Sequence, residues 1–296
     1  QCGGCTIQHL KYNQQINIKK LYINNVFNRL FKIPISVAFI ECKDKFLDYN
    51  YRNRTSIPLL RLEQSLIGGY YEKSTHNIID INICPILNDN ITKLIKPIKN
   101  FINDSNIDCD SDSTRDHVLR YFCLKSAYVT GEILLTLISN SKQEISKYKA
   151  LASKIYKTHR EIKGITLNIQ NSRNNLIYGD ETICLIGKDH INEKFCGMTY
   201  KINTTSFFQV NHQPAEYIVN IIVRWLRSKY LLENVIDCYC GIGSITLPIA
   251  EYFNVIGIEL SMTSIEQAKD NSALNKIKNV SFYAGDVKSL LSKYLK

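Results

Sequence analysis

Apolar and polar positions follow three rhythms along the chain. Between residues 9 and 31 the sequence is polar and basic, with Leu10, Ile16, Leu21, Phe27 and Leu30 at a loose helical spacing. From residue 33 to about residue 203, short runs rich in Ile, Val, Tyr and Phe alternate with turn residues. These predict strands at 35–40, 54–60, 65–71, 121–129, 133–139, 164–169, 184–186 and 198–202. Gly68-Gly69, Thr130-Gly131, Tyr178-Gly179-Asp180 and Gly187-Lys188 punctuate the runs, and helices are expected at 91–101 and 144–158. That texture predicts an α+β domain built on antiparallel pairs. Beyond Phe207 the pattern changes. Ile218, Ile221, Ile222, Trp225 and Leu226 share one face of a helix over 211–229. Strand 234–238, helix 244–253, strand 254–259, helix 264–275 and strand 280–284 follow, with Thr263 and Glu266 spaced as a capping box. Strands alternating with helices predict a doubly wound parallel sheet. The expected domains are therefore 1–203 and 204–296, the second with too few strands for a complete sheet of that kind.

Composition adds a partner class. The 296 residues carry 37 Lys+Arg against 27 Asp+Glu, a net charge of +10, and 45% hydrophobic residues. The apolar share excludes wholesale disorder. An excess of cations points to a phosphate-bearing partner, because Lys and Arg release counterions from nucleic acid, although plain solubility explains the same charge. No run approaches the roughly 18 apolar residues of a membrane span, and no secretory leader pattern opens the chain. A cytoplasmic, monomeric protein without membrane attachment is expected. Eight of the ten cysteines are scattered and are expected to be reduced thiols.

The segment Asn234-Val-Ile-Asp-Cys-Tyr-Cys-Gly-Ile-Gly-Ser-Ile-Thr carries the most chemistry. A strand runs into Asp237, and Gly241 and Gly243 let the backbone turn tightly against a ligand at a helix N-terminus. The next strand ends on Glu259, placed to accept ribose hydroxyls, and the third leads to Gly285-Asp286, within reach of an adenine amino group. A dinucleotide fingerprint has a third glycine where Thr246 stands here, so two cofactor classes fit to different degrees.

That loop resembles the Asp-x-x-Cys-Gly-x-Gly turn of class I S-adenosylmethionine-dependent methyltransferases. Together with Thr205-Ser-Phe-Phe-Gln-Val-Asn211, Tyr51-Arg-Asn-Arg54 and Asp80-Ile-Asn-Ile-Cys-Pro-Ile86, the chain resembles the RNA uracil-5-methyltransferase family over nearly all its residues. The resemblance implies an α+β central RNA-binding domain followed by a Rossmann-like methyltransferase domain. It also implies S-adenosylmethionine contacts from Gln209, Tyr239, Gly241, Gly243, Ser244, Glu259 and Asp286. Ser244 stands where many relatives carry Asn. Phe207 or Phe208 would line the pocket of the target base, and Arg52 and Arg54 would grip RNA, with Arg61, Lys73, Lys19 and Lys20 widening the basic face.

Cys2-Gly-Gly-Cys5 brings two thiols onto one turn. A redox pair would want a βαβ context and a zinc site a second pair; an iron–sulfur cluster needs four thiolates. Family members with a [4Fe–4S] cluster hold it through Cys-x5-Cys-Gly-x-Cys and a remote Cys-Pro, and Cys2, Cys5 and Cys84 match three of those positions. The family's nucleophilic Cys in a Ser-Cys-Asn-Pro-like segment, and its proton-accepting Glu, find no counterpart in residues 1–296. Both are expected beyond Lys296, so no catalytic residue is assigned within the chain. The resemblance therefore implies a fragment, inactive by itself, of an enzyme methylating uridine C5, with 23S rRNA favoured over tRNA. A noncatalytic iron–sulfur RNA-binding protein is the competing expectation, and a nicotinamide oxidoreductase a third.

Overall fold

The computed structural model describes residues 2–32, 49–63, 65–112, 115–172, 176–229 and 231–294. The strand expected at 35–40, Cys42 and Lys296 lie outside them. Helix α1 (Tyr12–Phe31) leads the described chain and buries none of its side chains. It is followed by strands β1 (Arg54–Leu62), β2 (Ser65–Tyr71) and β3 (Ile78–Asp80), helix α2 (Asp89–Asn103), strands β4 (Leu119–Ser126) and β5 (Ile133–Ser139), helix α3 (Ile145–Thr158), and strands β6 (Ile162–Ile169) and β7 (Glu181–Gly187). The seven strands form one sheet in the order β3-β2-β1-β4-β5-β6-β7.

Its core follows from sequence. In α2 the Asn88 side chain accepts from the Ile91 amide and caps the helix, which buries Ile91, Leu94, Ile95, Ile98 and Ile102 against the sheet. Every residue of β5 is buried. Ile133, Leu135 and Leu137 face the α2 and α3 side, Leu134 belongs to a second core, and Thr136 bonds Thr204. A strand covered on both faces reads as a continuous apolar run. The expected antiparallel pairs are present with one exception: β5 and β6 run parallel. Parallel neighbours need a crossover of a dozen or so residues, and α3 supplies it.

The second core begins with a hairpin, β8 (His190–Phe195) and β9 (Met198–Asn203), which packs with helix α4 (His212–Arg227) and a three-stranded parallel sheet. That sheet has the order β10 (Asn234–Cys238), β11 (Asn254–Glu259), β12 (Val280–Ala284), wound with α5 (Thr246–Ala250), α6 (Met262–Leu274) and α7 (Val287–Tyr294). Two expectations shift here. Helix α5 is a five-residue piece of the expected 244–253, because residues 241–245 are taken up by the glycine turn. The cap of α6 is Ser261, whose hydroxyl accepts from the Ser264 amide, in place of the Thr263–Glu266 box.

Candidate cofactor and RNA site

The glycine turn sits at the carboxyl end of β10, where open α/β sheets bind their ligands. Asp237 is the penultimate residue of β10; burial raises its carboxyl pKa, and the Thr246 hydroxyl donates to it at 2.6 Å, tying the strand end to α5. Tyr239 follows with φ of 65°, a left-handed conformation rare for a bulky residue, and its ring is 75% exposed. The strain is held by backbone: Tyr239 and Cys240 amides both donate to the Ile258 carbonyl, at 2.7 and 3.0 Å. Gly241 and Gly243 have φ of 56° and 86°. A Cβ on Gly241 would meet no atom within 4 Å, so the turn opens a cradle there. Gly243 packs instead against Leu247, Phe282 and Ala268.

Glu259 ends β11 beneath this turn. Its carboxylate accepts from the Gly241 amide at 3.2 Å and the Ser261 amide at 3.0 Å. Asp286, after β12, accepts from the Ser289 amide and hydroxyl at 2.9 Å each and so caps α7. Ser244 is half-buried at the exit of the turn. Cys240 is buried and its thiol is pushed up to about 12 by burial, then by Asp237 and Glu259. It is a neutral thiol at physiological pH, consistent with shaping the turn and not with attack. The groups gathered at the turn are suited to binding and placement.

Residues that carry no motif hold the turn in place. Asn271 of α6, fully buried, donates to the Ile242 carbonyl at 3.2 Å and accepts the Lys201 amide at 2.8 Å. The Tyr200 hydroxyl donates to the Gly243 carbonyl at 3.4 Å. Both couple the β8–β9 hairpin to the glycine turn. No sequence spacing marks Asn271, since a buried amide in a helix has no periodic signature; only its polarity on an inward face is a clue.

Residues 203–211 strap the two cores together. Lys125, buried in β4, donates from Nζ to the Asn203 carbonyl at 2.8 Å and the Ser206 carbonyl at 2.7 Å. Burial, then the Arg54 charge, lowers its pKa well below the ordinary lysine value. Ser206 donates from its hydroxyl to Gln267 of α6, and Asn53 donates to the Gln209 carbonyl at 3.0 Å and the Val210 carbonyl at 3.0 Å. The strap thereby settles the two phenylalanines. Phe208 is core, edge-on to Phe195 at 5.3 Å, whereas Phe207 is 62% exposed. Gln209 is half-buried, its carbonyl held by Asn53 between Arg52 and Arg54 at the start of β1. Arg54 lies over the Tyr178 ring at 5.4 Å, while Arg52 donates to the Arg54 carbonyl at 3.0 Å and borders an open cleft. Of the wider basic set, Arg61 is turned inward onto the carbonyls of Ile102 and Ile107.

The cysteines expected to bind a cluster are brought near one another. The Cys5 thiol pKa is raised by burial, then by Cys84 and Cys2. The Gly3 amide donates to the Tyr71 carbonyl at 2.8 Å and fixes the Cys2–Cys5 turn on β2. Lys99, buried in α2, donates to the Ile81 carbonyl at 2.9 Å and to Asp80 at 2.6 Å, anchoring the loop that presents Cys84. The thiol chemistry suits iron, but among the described residues no three His, Cys, Asp or Glu side chains are arranged to hold a metal ion. The trio as placed is a set of neighbours and not a closed ligand shell.

A family model described as tRNA (uracil-5-)-methyltransferase matches residues 11–287. The chain belongs to that family. It is 37% identical over 297 residues to an uncharacterized RNA methyltransferase of Parasynechococcus marenigrum, covering 99% of this chain and 63% of the relative. A Bacillus cereus uncharacterized RNA methyltransferase is 32% identical over 300 residues, covering 64% of that relative. The chain thus spans about two thirds or slightly less of the curated relatives' length. Among solved structures, the Pyrococcus abyssi tRNA (uracil-54, C5)-methyltransferase in complex with S-adenosyl-L-homocysteine matches with a TM-score of 0.77 and 22% identity, over 97% of this chain and 65% of that one. At that identity the match establishes the shared fold. Among the described residues no helix is long and apolar enough to cross a membrane.

Proposed function

We propose that this chain is the cofactor- and RNA-binding portion of an enzyme that transfers a methyl group from S-adenosylmethionine to C5 of an RNA uridine. The observation that carries the reading is the open glycine turn: a Cβ on Gly241 would meet open space, the Glu259 carboxylate accepts the Gly241 amide, and Tyr239 beside it is exposed. S-adenosylmethionine supplies an electrophilic methyl on a sulfonium when bound. The chain's own residues do the placing. The glycines allow close backbone approach, Glu259 presents a carboxylate to the ribose hydroxyls, and Tyr239, Gln209, Ser244 and Asp286 complete the holder. Phe207 offers a face on which a displaced base can stack.

Charge and family membership support RNA as the partner. The neighbouring Cys2, Cys5 and Cys84 favour the iron–sulfur branch and hence 23S rRNA, whereas the name of the structural neighbour favours tRNA. A [4Fe–4S] site would take these three thiolates and a fourth ligand. Anaerobic iron and sulfide analysis of the full-length protein tests that branch: Cys84→Ala should lose the bound iron, and iron-free wild type would remove it. The activity itself is tested by incubating the full-length protein with methyl-labelled S-adenosylmethionine and unmodified 23S rRNA or tRNA, then digesting to nucleosides. Labelled 5-methyluridine from one of the two RNAs is expected. Label at another nucleoside, or none from either, would overturn the reading.

A further inference from the structure

A cleft of about 510 Å3 lies between the start of α1, the Cys2–Cys5 turn and the strand end at Arg52, well apart in sequence from the glycine turn. Lys11, Lys19 and Arg52 line it, together with Tyr49, Tyr51 and the strap residue Asn211. No Asp or Glu is among its described lining residues. Tyr49 is 51% exposed. The wall at Arg52 is rigid: its amide donates to the Ile86 carbonyl at 2.8 Å, its carbonyl accepts the Asn88 amide at 2.9 Å, and it bridges Asn211 antiparallel. The neighbouring Asn53 holds the Gln209 and Val210 carbonyls, so the cleft floor is continuous with the strap that carries Phe207.

Three cations, three tyrosine rings and no carboxylate are the chemistry of a single-stranded nucleic acid track, with phosphates on the cations and bases on the rings. A small anionic metabolite would use the cations and leave the rings idle. We propose that this cleft binds a short single-stranded segment of the RNA substrate, outside the segment that carries the target base, and that Asn53 and Asn211 fix its position relative to the strap. The inference rests on the RNA-modifying function proposed above and assigns it a second contact point.

The test is fluorescence anisotropy of a labelled short oligouridylate with the 296-residue chain over a salt series. The cleft variant is Lys11→Glu/Lys19→Glu. Because α1 buries no residue, the reversal leaves both cores intact. A charge-matched control is Lys149→Glu/Lys154→Glu, at exposed positions of α3 outside the cleft. Affinity is expected to fall on the order of tenfold in the cleft variant, with the salt slope lowered by about 1.4 for two lost single-strand phosphate contacts. The control should keep the wild-type slope. Tyr49→Ala is expected to weaken binding by about fivefold or more with the slope unchanged. Equal losses in cleft and control variants, or full affinity in Tyr49→Ala, would overturn the proposal. S-adenosylhomocysteine titration of the same variants separates the two readings: intact cofactor binding with unaltered RNA binding removes the cleft alone, whereas absent cofactor binding in wild type removes the methyltransferase reading.

Discussion

Replacing Asn271 with Ala examines whether a buried amide in α6 holds the cofactor turn in place. Two hydrogen bonds disappear, Nδ2 to the Ile242 carbonyl and Oδ1 from the Lys201 amide. Each stranded partner costs about 1–3 kcal/mol if it stays dry. Ile242 is buried and Lys201 only half-buried, so water recovers part of the second loss. The loss of stability should be about 2–4 kcal/mol, a large share of the roughly 5–15 kcal/mol of a typical domain. Urea unfolding with an unchanged m-value measures it. Asn275→Ala is the comparison, since Asn275 donates to the Thr199 carbonyl at 2.6 Å and accepts its amide at 2.8 Å without touching the glycine turn. Both variants should lose stability, but S-adenosylhomocysteine affinity should fall about tenfold, or 1.4 kcal/mol, only in Asn271→Ala. A stability change under about 0.5 kcal/mol, or equal affinity in the two variants, would refute the reasoning.

Two further outcomes follow from strained or desolvated groups. Lys125 has a pKa well below its ordinary 10.5, so between the folded and unfolded values the unfolded chain binds more protons and stability rises with pH. Lys125→Met abolishes that rise. The stability difference, wild type minus variant, should therefore grow from neutral pH toward pH about 10, and a constant difference would show an ordinary lysine. Tyr239→Gly should stabilise the chain by about 1 kcal/mol by relieving the left-handed backbone, while weakening S-adenosylhomocysteine binding; a loss of stability would show that the ring packs and does not wait for a ligand.

Much of the glycine-turn half was legible because its signals are local. Gly241 and Gly243 mark the turn, and Glu259 and Asp286 stand at or just past successive strand ends, as the spacing implies. Strand β8 was not, and the reason is physical. Glu193 occupies an inward position where alternation calls for an apolar residue, and it is fully buried, with its carboxylate satisfied by the amides of Tyr128, Val129 and Lys194. A buried carboxyl group held by backbone amides, two of them from the loop at Tyr128 and Val129, breaks the alternation that marks a strand in sequence. The parallel β5–β6 pairing was hidden differently. Its strand–helix–strand spacing was present at 133–139, 144–158 and 164–169, but it sits among antiparallel neighbours on both sides. Phe207 and Phe208 could not be told apart in sequence, because only the Lys125 and Asn53 contacts fix which ring turns outward.

Calorimetric titration of the chain with S-adenosylhomocysteine, repeated on Glu259→Ala, tests the central claim most directly. One saturable site is expected in the wild type and at least a tenfold loss in the variant, which gives up the carboxylate that accepts the Gly241 amide. No binding heat at any concentration, or identical isotherms for the two proteins, would contradict it.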